Sequence, residues 1–574
     1  MNGTDGGRGG GLTAAEARPE RLREWLRGLP LAQPRRAATL LAERLDELGA
    51  LALRPQDAIA ALETLTPAVG ELEGALREEL RRIPGFPVGP TARTGLVARE
   101  ALHACAAAAW ARLLEALEDK GAARTRATAA VRVLDHAARW LLARYAHYQP
   151  PDPAAWRLLH RSFARLHGDA EAAARAAHDL EGVTLTPRAA YARALLLALA
   201  NPYHLMLGEA DTVYAWAAPL AGRLTLGGED GWAAVDLTGE AGPVPVELLA
   251  GSAGTLRIDP EPVAAALRDR LGEILREHPP AAGRAMPLPV RRERDLLLRL
   301  LEAWGRRPRR HQQRAAVPGR LAIVAGLSNV HAVLTGGAPF APAEQEARIA
   351  RATRDLHLLR VLDEAEPHTP PPERRTFRAI DPAADVWQRV YETPEEPAAE
   401  IRPADESEPS IVESADVSAG GLAAEIRPGA PVRLLVGELL AYRGAEGDGW
   451  HVGTVRWMRQ VADDGTLRIG IKRLDRSARA VAVRAVAGTG SGGVYQRALV
   501  VPDTDPLERP AALVTPAYIY DVGTVLLVQM ESRIVYLRLT KALESTARFA
   551  RYLYEPTRAP ATLPPPPREP MRAV

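Results

Sequence analysis

The chain has 574 residues, too many for one hydrophobic core, so roughly two to four domains are expected. Its 47% hydrophobic and 25% charged residues are typical of a globular protein and exclude a disordered chain. The 73 basic and 71 acidic residues nearly balance, which excludes a global electrostatic attraction to nucleic acid or anionic membranes.

No segment predicts secretion or membrane insertion. The N-terminal residues lack the apolar stretch of a signal peptide, and no run reaches the roughly 18 uncharged apolar residues of a membrane helix. The single cysteine, Cys105, cannot form an intramolecular disulfide, which fits a reducing compartment. We therefore expect a cytoplasmic protein.

Residues 12–305 have the apolar spacing of helices. In PRRAATLLAERLDELGAL, the residues Leu41, Leu45 and Leu48 recur at intervals of four and three, which predicts an amphipathic helix. Similar stripes follow as far as residue 303, separated by short breaks such as GFPVGP, YQPPDP and EGVTLTP. The pattern predicts an α-helical bundle or array over 12–305, with a small β insertion near 221–258.

The pattern changes after residue 306. The run AAVPGRLAIVAGLSNVHAVL has the β-branched and glycine content of strands, and a Pro- and Glu-rich excursion follows over 341–410. Short strands separated by turns dominate from 411, which predicts a closed antiparallel barrel within 306–505. An accessory strand/helix segment is expected over 506–556 and a disordered tail over 557–574. The predicted fold class is α+β.

One acidic, glycine-containing stretch, ESADVSAGGLAAEI, stands between two apolar runs. Asp416 and Ser418 are residue types that form hydrogen-bonded turns with the nearby backbone. Gly420 and Gly421 permit positive φ or the close approach of a ligand to the backbone. By themselves these residues are better explained by a structural turn between strands than by a ligand site.

The order of the surrounding segments resembles the second half of a PilZ domain, the bacterial receptor module for cyclic di-GMP. DVSAGGLAAEI is followed by VRLLVGELLAYR, WHVGTVRWMRQ and LRIGIKRL, and the resemblance covers residues 411–475. The matching positions are Asp416, Ser418, Gly421, Val455, Trp457, Gly470 and Ile471. The resemblance implies a six-stranded barrel that binds cyclic di-GMP and needs neither a metal nor a general base.

The PilZ family also has an R-x-x-x-R motif before its first strand, and two arginine pairs here are candidates. Arg310 and Arg314 directly precede a strand-like run, as in the family, but this requires 341–410 to be an insertion. Arg374 and Arg378 lie nearer to the D-x-S motif, although the DPAADVW that follows them is a poor strand. We favour the first pair and keep the second as the alternative.

The resemblance also implies a role for each residue type. Guanidinium groups bind phosphates and guanine edges through paired hydrogen bonds and stack on bases. Asp416 would accept a hydrogen bond from guanine or orient an arginine, Ser418 would donate to the nucleotide, and Gly421 would let the backbone approach it.

These observations predict a non-enzymatic cyclic di-GMP effector that engages a protein partner through its helical domain. The sequence contains no convergent acid–base, nucleophile or metal-ligand pattern, so no catalytic residue and no cofactor are expected. Neither nucleic acid nor membrane insertion is expected. The alternative is a PilZ-like scaffold that binds proteins without a ligand. The helical and strand-rich halves are expected to fold separately.

Overall fold

The fold is known from a computed structural model. It describes residues 12–117, 122–167, 169–249, 251–252, 254–279, 286–305, 319–349, 408–418, 420–444, 449–461, 464–475, 478–502, 511–530 and 533–560. Within these ranges helices dominate before residue 306 and strands dominate after residue 318. The predicted α+β fold class is confirmed.

Many of the N-terminal helices begin at a proline, because proline has the φ angle of a helix and lacks only an N–H group that the first turn cannot use. The three breaks predicted from sequence each end at a proline that begins the next helix, namely Pro90, Pro153 and Pro187. The helices are α1 (Pro19–Arg27), α2 (Pro34–Ala50), α3 (Pro55–Arg81), α4 (Pro90–Leu117), α5 (Ala123–Tyr145), α6 (Pro153–His167), α7 (Ala170–Ala173), α8 (Pro187–Leu199), α9 (Glu209–Leu220), α10 (Glu261–Glu277) and α11 (Leu288–Gly305).

The helices pack around two hydrophobic clusters. Leu41, Leu45 and Leu48 of α2 are buried in one of them, as the amphipathic pattern predicts. Helix α5 is buried along most of its length, between α4, α6 and α8. It therefore forms the centre of the helical region.

Two small antiparallel sheets interrupt the helices. Strands β1 (Ala177–His178) and β2 (Thr184–Leu185) form a hairpin. Strands β3 (Thr225–Leu226), β4 (Ala233–Asp236), β5 (Val244–Pro245) and β6 (Thr255–Asp259) form a sheet of order β3-β6-β4-β5. The second sheet lies where the sequence indicates a β insertion.

The first barrel is a closed antiparallel sheet of order β7-β10-β11-β12-β9-β8. Its strands are β7 (Gly319–Ala325), β8 (Ser410–Ser418), β9 (Gly421–Ile426), β10 (Leu439–Gly444), β11 (His451–Gln460) and β12 (Leu467–Asp475). Helix α12 (Leu327–Leu334) follows β7, and residues 342–349 are also helical. Most of the predicted 341–410 excursion, residues 350–407, lies outside the described ranges.

A second closed barrel follows, of order β13-β14-β15-β18-β17-β16. Its strands are β13 (Arg479–Ala487), β14 (Gln496–Val501), β15 (Ala512–Pro516), β16 (Val525–Gln529), β17 (Ile534–Ser545) and β18 (Phe549–Thr557). The sequence prediction placed 479–501 with the strands of the first barrel, but these strands pair with β15 and β16 instead. The segment predicted to be accessory thus completes a barrel.

The helical region and the first barrel share a hydrophobic core. Phe86 lies in the loop between α3 and α4 and forms an isolated antiparallel β-bridge with Leu434. Its side chain is buried among barrel residues. The ring of Tyr148 packs edge-on against Phe86 with ring centroids 5.0 Å apart. Two aromatic side chains of the helical region therefore form part of the core of the first barrel.

The two barrels are joined by another hydrophobic cluster, to which α12 contributes Val330. Leu439 of the first barrel and Phe549 of the second are completely buried in it. Arg291 of α11 also forms an ion pair with Asp521 of the second barrel at 3.2 Å. The three regions thus pack against one another through buried side chains.

Candidate ligand-binding face of the first barrel

The turn predicted around Ser418 connects β8 and β9. Ser418 pairs with Gly421 across the turn, and the Ser418 hydroxyl donates to the carbonyl oxygen of Gly421 at 3.2 Å. The carbonyl of Gly420 accepts a hydrogen bond from the backbone N–H of Arg473 at 3.0 Å. These contacts attach the turn to β12.

Gly421 is required by the packing of strands. A Cβ atom at this position would collide with the carbonyl oxygen of Ile471 on the neighbouring strand β12. The carbonyl of Ile471 therefore occupies the space that a side chain at Gly421 would need. The sequence interpretation had expected a ligand, rather than the protein backbone, to approach Gly421.

Asp416 lies within strand β8, two residues before the turn. It pairs with Ala423 of β9, next to a bulge between Ser414 and Asp416. Val417 and Leu422 contact the barrel core. Because side chains alternate along a strand, Asp416 and Ser418 both project from the outer face of the barrel. Both residues are half-buried there.

Strand register places residues of four strands in two parallel rows on this outer face. One row is Asp416, Ala423, Gly470 and Trp457, and the other is Ser418, Gly421, Lys472 and Thr454. The central members of the first row have small side chains or none, and in the second row Gly421 separates Ser418 from Lys472. We call this surface the outer platform.

The indole of Trp457 lies over Gly470 at one side of the outer platform. A Cβ atom on Gly470 would overlap the indole ring, so only glycine allows this position of the ring. Trp457 and Gly470, which both match the PilZ pattern, are thus paired across neighbouring strands. Their spacing in the sequence reflects this pairing between β11 and β12.

Neither candidate arginine pair is described. Arg310 and Arg314 lie in the 306–318 segment, and Arg374 and Arg378 lie in the 350–407 segment, both outside the described ranges. The chain positions that border the first segment are described. Helix α11 ends at Gly305, and β7 begins at Gly319, which pairs with Ser414 of β8.

The sequence interpretation did not consider Lys472 as a site residue. Strand alternation in LRIGIKRL already places Arg468, Gly470 and Lys472 on one face, and lysine occurs at only two other positions, Lys120 and Lys541. The register that brings Lys472 next to Gly421 joins β12 to β9, which are not consecutive strands. A strand pattern alone does not reveal such a pairing.

Other kinds of site were also sought. In the ranges that the structure describes, no group of three or more His, Cys, Asp or Glu residues is arranged to hold a metal ion. None of the helices described combines the length and the apolar character needed to cross a bilayer.

Comparison with known proteins matches three consecutive regions of the chain. Residues 20–230 match the N-terminal domain of the cyclic-di-GMP receptor FimW, residues 234–479 its middle PilZ domain, and residues 481–557 its C-terminal β-barrel domain. The last two regions meet at residue 480, at the start of β13, which is the first strand of the second barrel. No solved structure matches the chain.

A curated relative supports the same assignment. The cyclic-di-GMP receptor FimW of Pseudomonas aeruginosa is 26% identical over 324 residues, which make up 54% of this chain and 52% of that protein. The match thus spans about half the length of the relative. With its helical N-terminal domain, middle PilZ domain and C-terminal barrel, the chain belongs to the FimW family of cyclic-di-GMP receptors.

Proposed function

We propose that this protein is a cytoplasmic, non-enzymatic receptor that binds cyclic di-GMP on the outer platform. Asp416 and Ser418 contact the nucleotide, and the pair Arg310 and Arg314 binds its phosphates and guanines. The ligand has two phosphodiester charges and two guanine bases. Guanidinium groups suit both, because they are planar, always charged, and form paired hydrogen bonds to phosphate or to guanine O6 and N7.

The observation that carries this proposal is the outer platform itself. Asp416 and Ser418 project side by side from β8, and the adjacent positions Gly421, Ala423 and Gly470 bear at most a methyl group. Because the Trp457 indole covers Gly470 and the Ile471 carbonyl fills the space beside Gly421, a flat ligand would lie over the end of these rows that Asp416 and Ser418 occupy. The Asp416 carboxylate supplies an acceptor for its polar edges, and the Ser418 hydroxyl supplies a donor when it exchanges the Gly421 carbonyl for the ligand.

The described borders of the 306–318 segment support Arg310 and Arg314 as the binding pair. Gly319 pairs with Ser414, so this segment meets the barrel two residues from Asp416 along β8. The five residue steps from Arg314 to Gly319 span at most about 18 Å. The outer platform is within that reach.

The alternative pair is attached at the other end of the same strand. The 350–407 segment leads to Ser410, which pairs with Ile323. Six residues of strand separate Ser410 from Asp416, a distance of about 20 Å. The segment that carries Arg374 and Arg378 therefore joins β8 farther from the outer platform than the segment that carries Arg310 and Arg314 joins β7. For this reason we favour the first pair.

We further propose that ligand binding is communicated to the helical domain, which engages a protein partner. The backbone N–H of Gln460, at the end of β11, donates to the carbonyl of Tyr148 at 2.8 Å. The arginine-bearing segment begins where α11 ends. A change in that segment on binding would act on a helix that already contacts the second barrel through Arg291.

The test is calorimetric titration of the full chain with cyclic di-GMP. Each hydrogen bond to a charged group contributes about 1.5–3 kcal/mol, so Asp416→Ala or Ser418→Ala should weaken binding about 10- to 150-fold, and the double change Arg310→Ala with Arg314→Ala should weaken it by at least about 150-fold. The double change Arg374→Ala with Arg378→Ala should have little effect.

Glu413→Ala is the matched control for Asp416→Ala. Glu413 lies on the same strand, and its ion pair with Arg427 is exposed to solvent. It should bind as the wild type does. If the wild type does not bind micromolar cyclic di-GMP, the receptor proposal fails and a ligand-independent scaffold remains. Damage from the second arginine pair alone would show that the first pair was wrongly assigned.

A further inference from the structure

Three cations meet where the outer platform reaches the second barrel. Lys472 projects from β12, Arg456 lies at a bulge of β11, and Arg551 lies on β18 of the second barrel. Glu544 of β17 is close to two of them, with oxygen–nitrogen distances of 2.7 Å to Arg456 and 4.0 Å to Arg551. We call Lys472, Arg456 and Arg551 the junction cations.

The junction cations are not fully neutralised. Glu544 contacts Arg456 and Arg551, and Glu544 and Glu302 of α11 act on Lys472 from farther away, so two carboxylates face three cations. Lys472 is exposed at the surface, and the partial loss of surrounding water and the nearby Arg456 guanidinium lower its pKa, although both carboxylates oppose this. Burial and Arg456 likewise lower the pKa of Arg551, while Glu544 opposes the change. An excess of positive charge of this kind favours a bound anion.

Two polar groups at the same place lack a partner. The Nε atom of Arg551 and the hydroxyl of Thr454 are both buried and have no hydrogen-bond partner in the described part of the chain. Thr454 is completely buried and lies directly opposite Lys472 in the strand register. Buried donors without partners are costly, and an anion with several oxygens would satisfy them.

The junction is continuous with the outer platform. Lys472 and Ser418 stand in the same row with only Gly421 between them, so they are separated by two strand spacings, about 10 Å. Gly421 has no side chain to divide the two places. A single ligand lying on the outer platform can therefore extend from Ser418 to Lys472.

We propose that Lys472 and Arg551 bind a phosphodiester group of the nucleotide, so that one ligand contacts both barrels. This inference rests on the proposed function, because it concerns the same ligand. Lys472 acts as a compact charge and Arg551 as a directional donor, while the Thr454 hydroxyl completes the set. The second barrel thus becomes part of the receptor site.

The first experiment compares two lysine substitutions by calorimetric titration of the full chain with cyclic di-GMP. Lys472→Met should weaken binding about 10-fold, in line with the loss of a hydrogen bond to a charged group. Lys541→Met is the matched control. Lys541 lies on β17 and is exposed, and it should keep wild-type affinity.

Arg551→Gln tests the contribution of the second barrel. It should weaken binding about 10-fold, and Arg551→Lys should restore part of the affinity because it keeps the charge. The double variant with Lys472→Met should lose less than the product of the two single effects, since both residues contact one group. Full additivity, or wild-type affinity in Arg551→Gln, would overturn the inference.

A spectroscopic readout separates contact from a folding defect. The chain has lysine only at Lys120, Lys472 and Lys541, so reductive methylation with ¹³C yields few signals, and Lys472→Met assigns the relevant one. Cyclic di-GMP should raise the pKa of Lys472 and leave the Lys541 signal unchanged.

The outcomes distinguish the two proposals. If the ligand binds but the Lys472 signal does not respond, this inference fails while the proposed function stands. If the wild type binds no cyclic di-GMP, both fail. If inorganic phosphate alone shifts the Lys472 signal and cyclic di-GMP does not, the junction cations hold a separate anion and the inference is again refuted.

Discussion

Glu438 provides a sharp test of how the two barrels meet. It precedes β10 and is only 8% exposed, and its carboxylate lies 3.4 Å from Arg548 in the turn between β17 and β18. Burial raises the pKa of Glu438 to about 7, although Arg548 opposes the shift. The usual value is 4.5, so the difference corresponds to roughly 3 kcal/mol of folding free energy.

The sign follows from proton binding. Between about pH 4.5 and 7 the folded protein holds a proton on Glu438 that the unfolded chain releases, so stability falls as the pH rises through this range. Glu438→Gln stays neutral at every pH. The variant should therefore match the wild type at pH 4.5 and exceed its stability by up to roughly 3 kcal/mol above pH 7.

The measurement is the difference in Tm between Glu438→Gln and the wild type, followed from pH 4.5 to 8. Taking the difference removes the contributions of other titrating groups, which both proteins share. Glu413→Gln, at an exposed ion pair, serves as the control and should show no such trend. A difference in Tm that does not vary with pH would refute the argument that Glu438 is buried as a proton-binding carboxyl group.

Two further substitutions test the packing. Phe86→Ala should destabilise the contact between the helical region and the first barrel by about 3–5 kcal/mol, measured by thermal unfolding, whereas Val97→Ala on an exposed helix face should not. Gly421→Ala forces a methyl group against the carbonyl of Ile471 and should cost about 1–3 kcal/mol, and Gly444→Ala, where the space is open, should cost much less. Equal effects in either matched pair would contradict the packing described.

Local sequence patterns predicted the helical region well. The apolar spacing of Leu41, Leu45 and Leu48 fixes which face of α2 is buried, and prolines mark where helices begin. Both signals act within one or two turns of chain, so they do not depend on distant residues.

The border between the barrels could not be predicted in the same way. Strand β12 ends at Asp475 and β13 begins at Arg479, with no proline- or glycine-rich linker between them. The stretch with the composition of a loop is instead PDTDPLERP, which follows β14. It connects two strands of the second barrel. The predicted boundary at 505 followed composition, whereas the topology depends on which strands form hydrogen bonds with one another.

The candidate site was predictable only in part. Asp416 and Ser418 are recognisable because they are close together in sequence and match a family pattern. Lys472 joins them only through the pairing of β12 with β9, and Arg551 only through the contact between barrels. A site assembled from distant strands leaves no local signal in the sequence.

The shared cores also decide how such a site should be studied. We expected from sequence that the helical and strand-rich halves would fold separately, but Phe86 and Tyr148 are buried in the core of the first barrel. A fragment beginning at residue 306 would lack both rings and expose the apolar surface that they cover. It would also separate the arginine-bearing segment from α11. Binding measured on such a fragment would combine loss of the ligand site with loss of the barrel core, whereas substitutions in the full chain change one contact at a time.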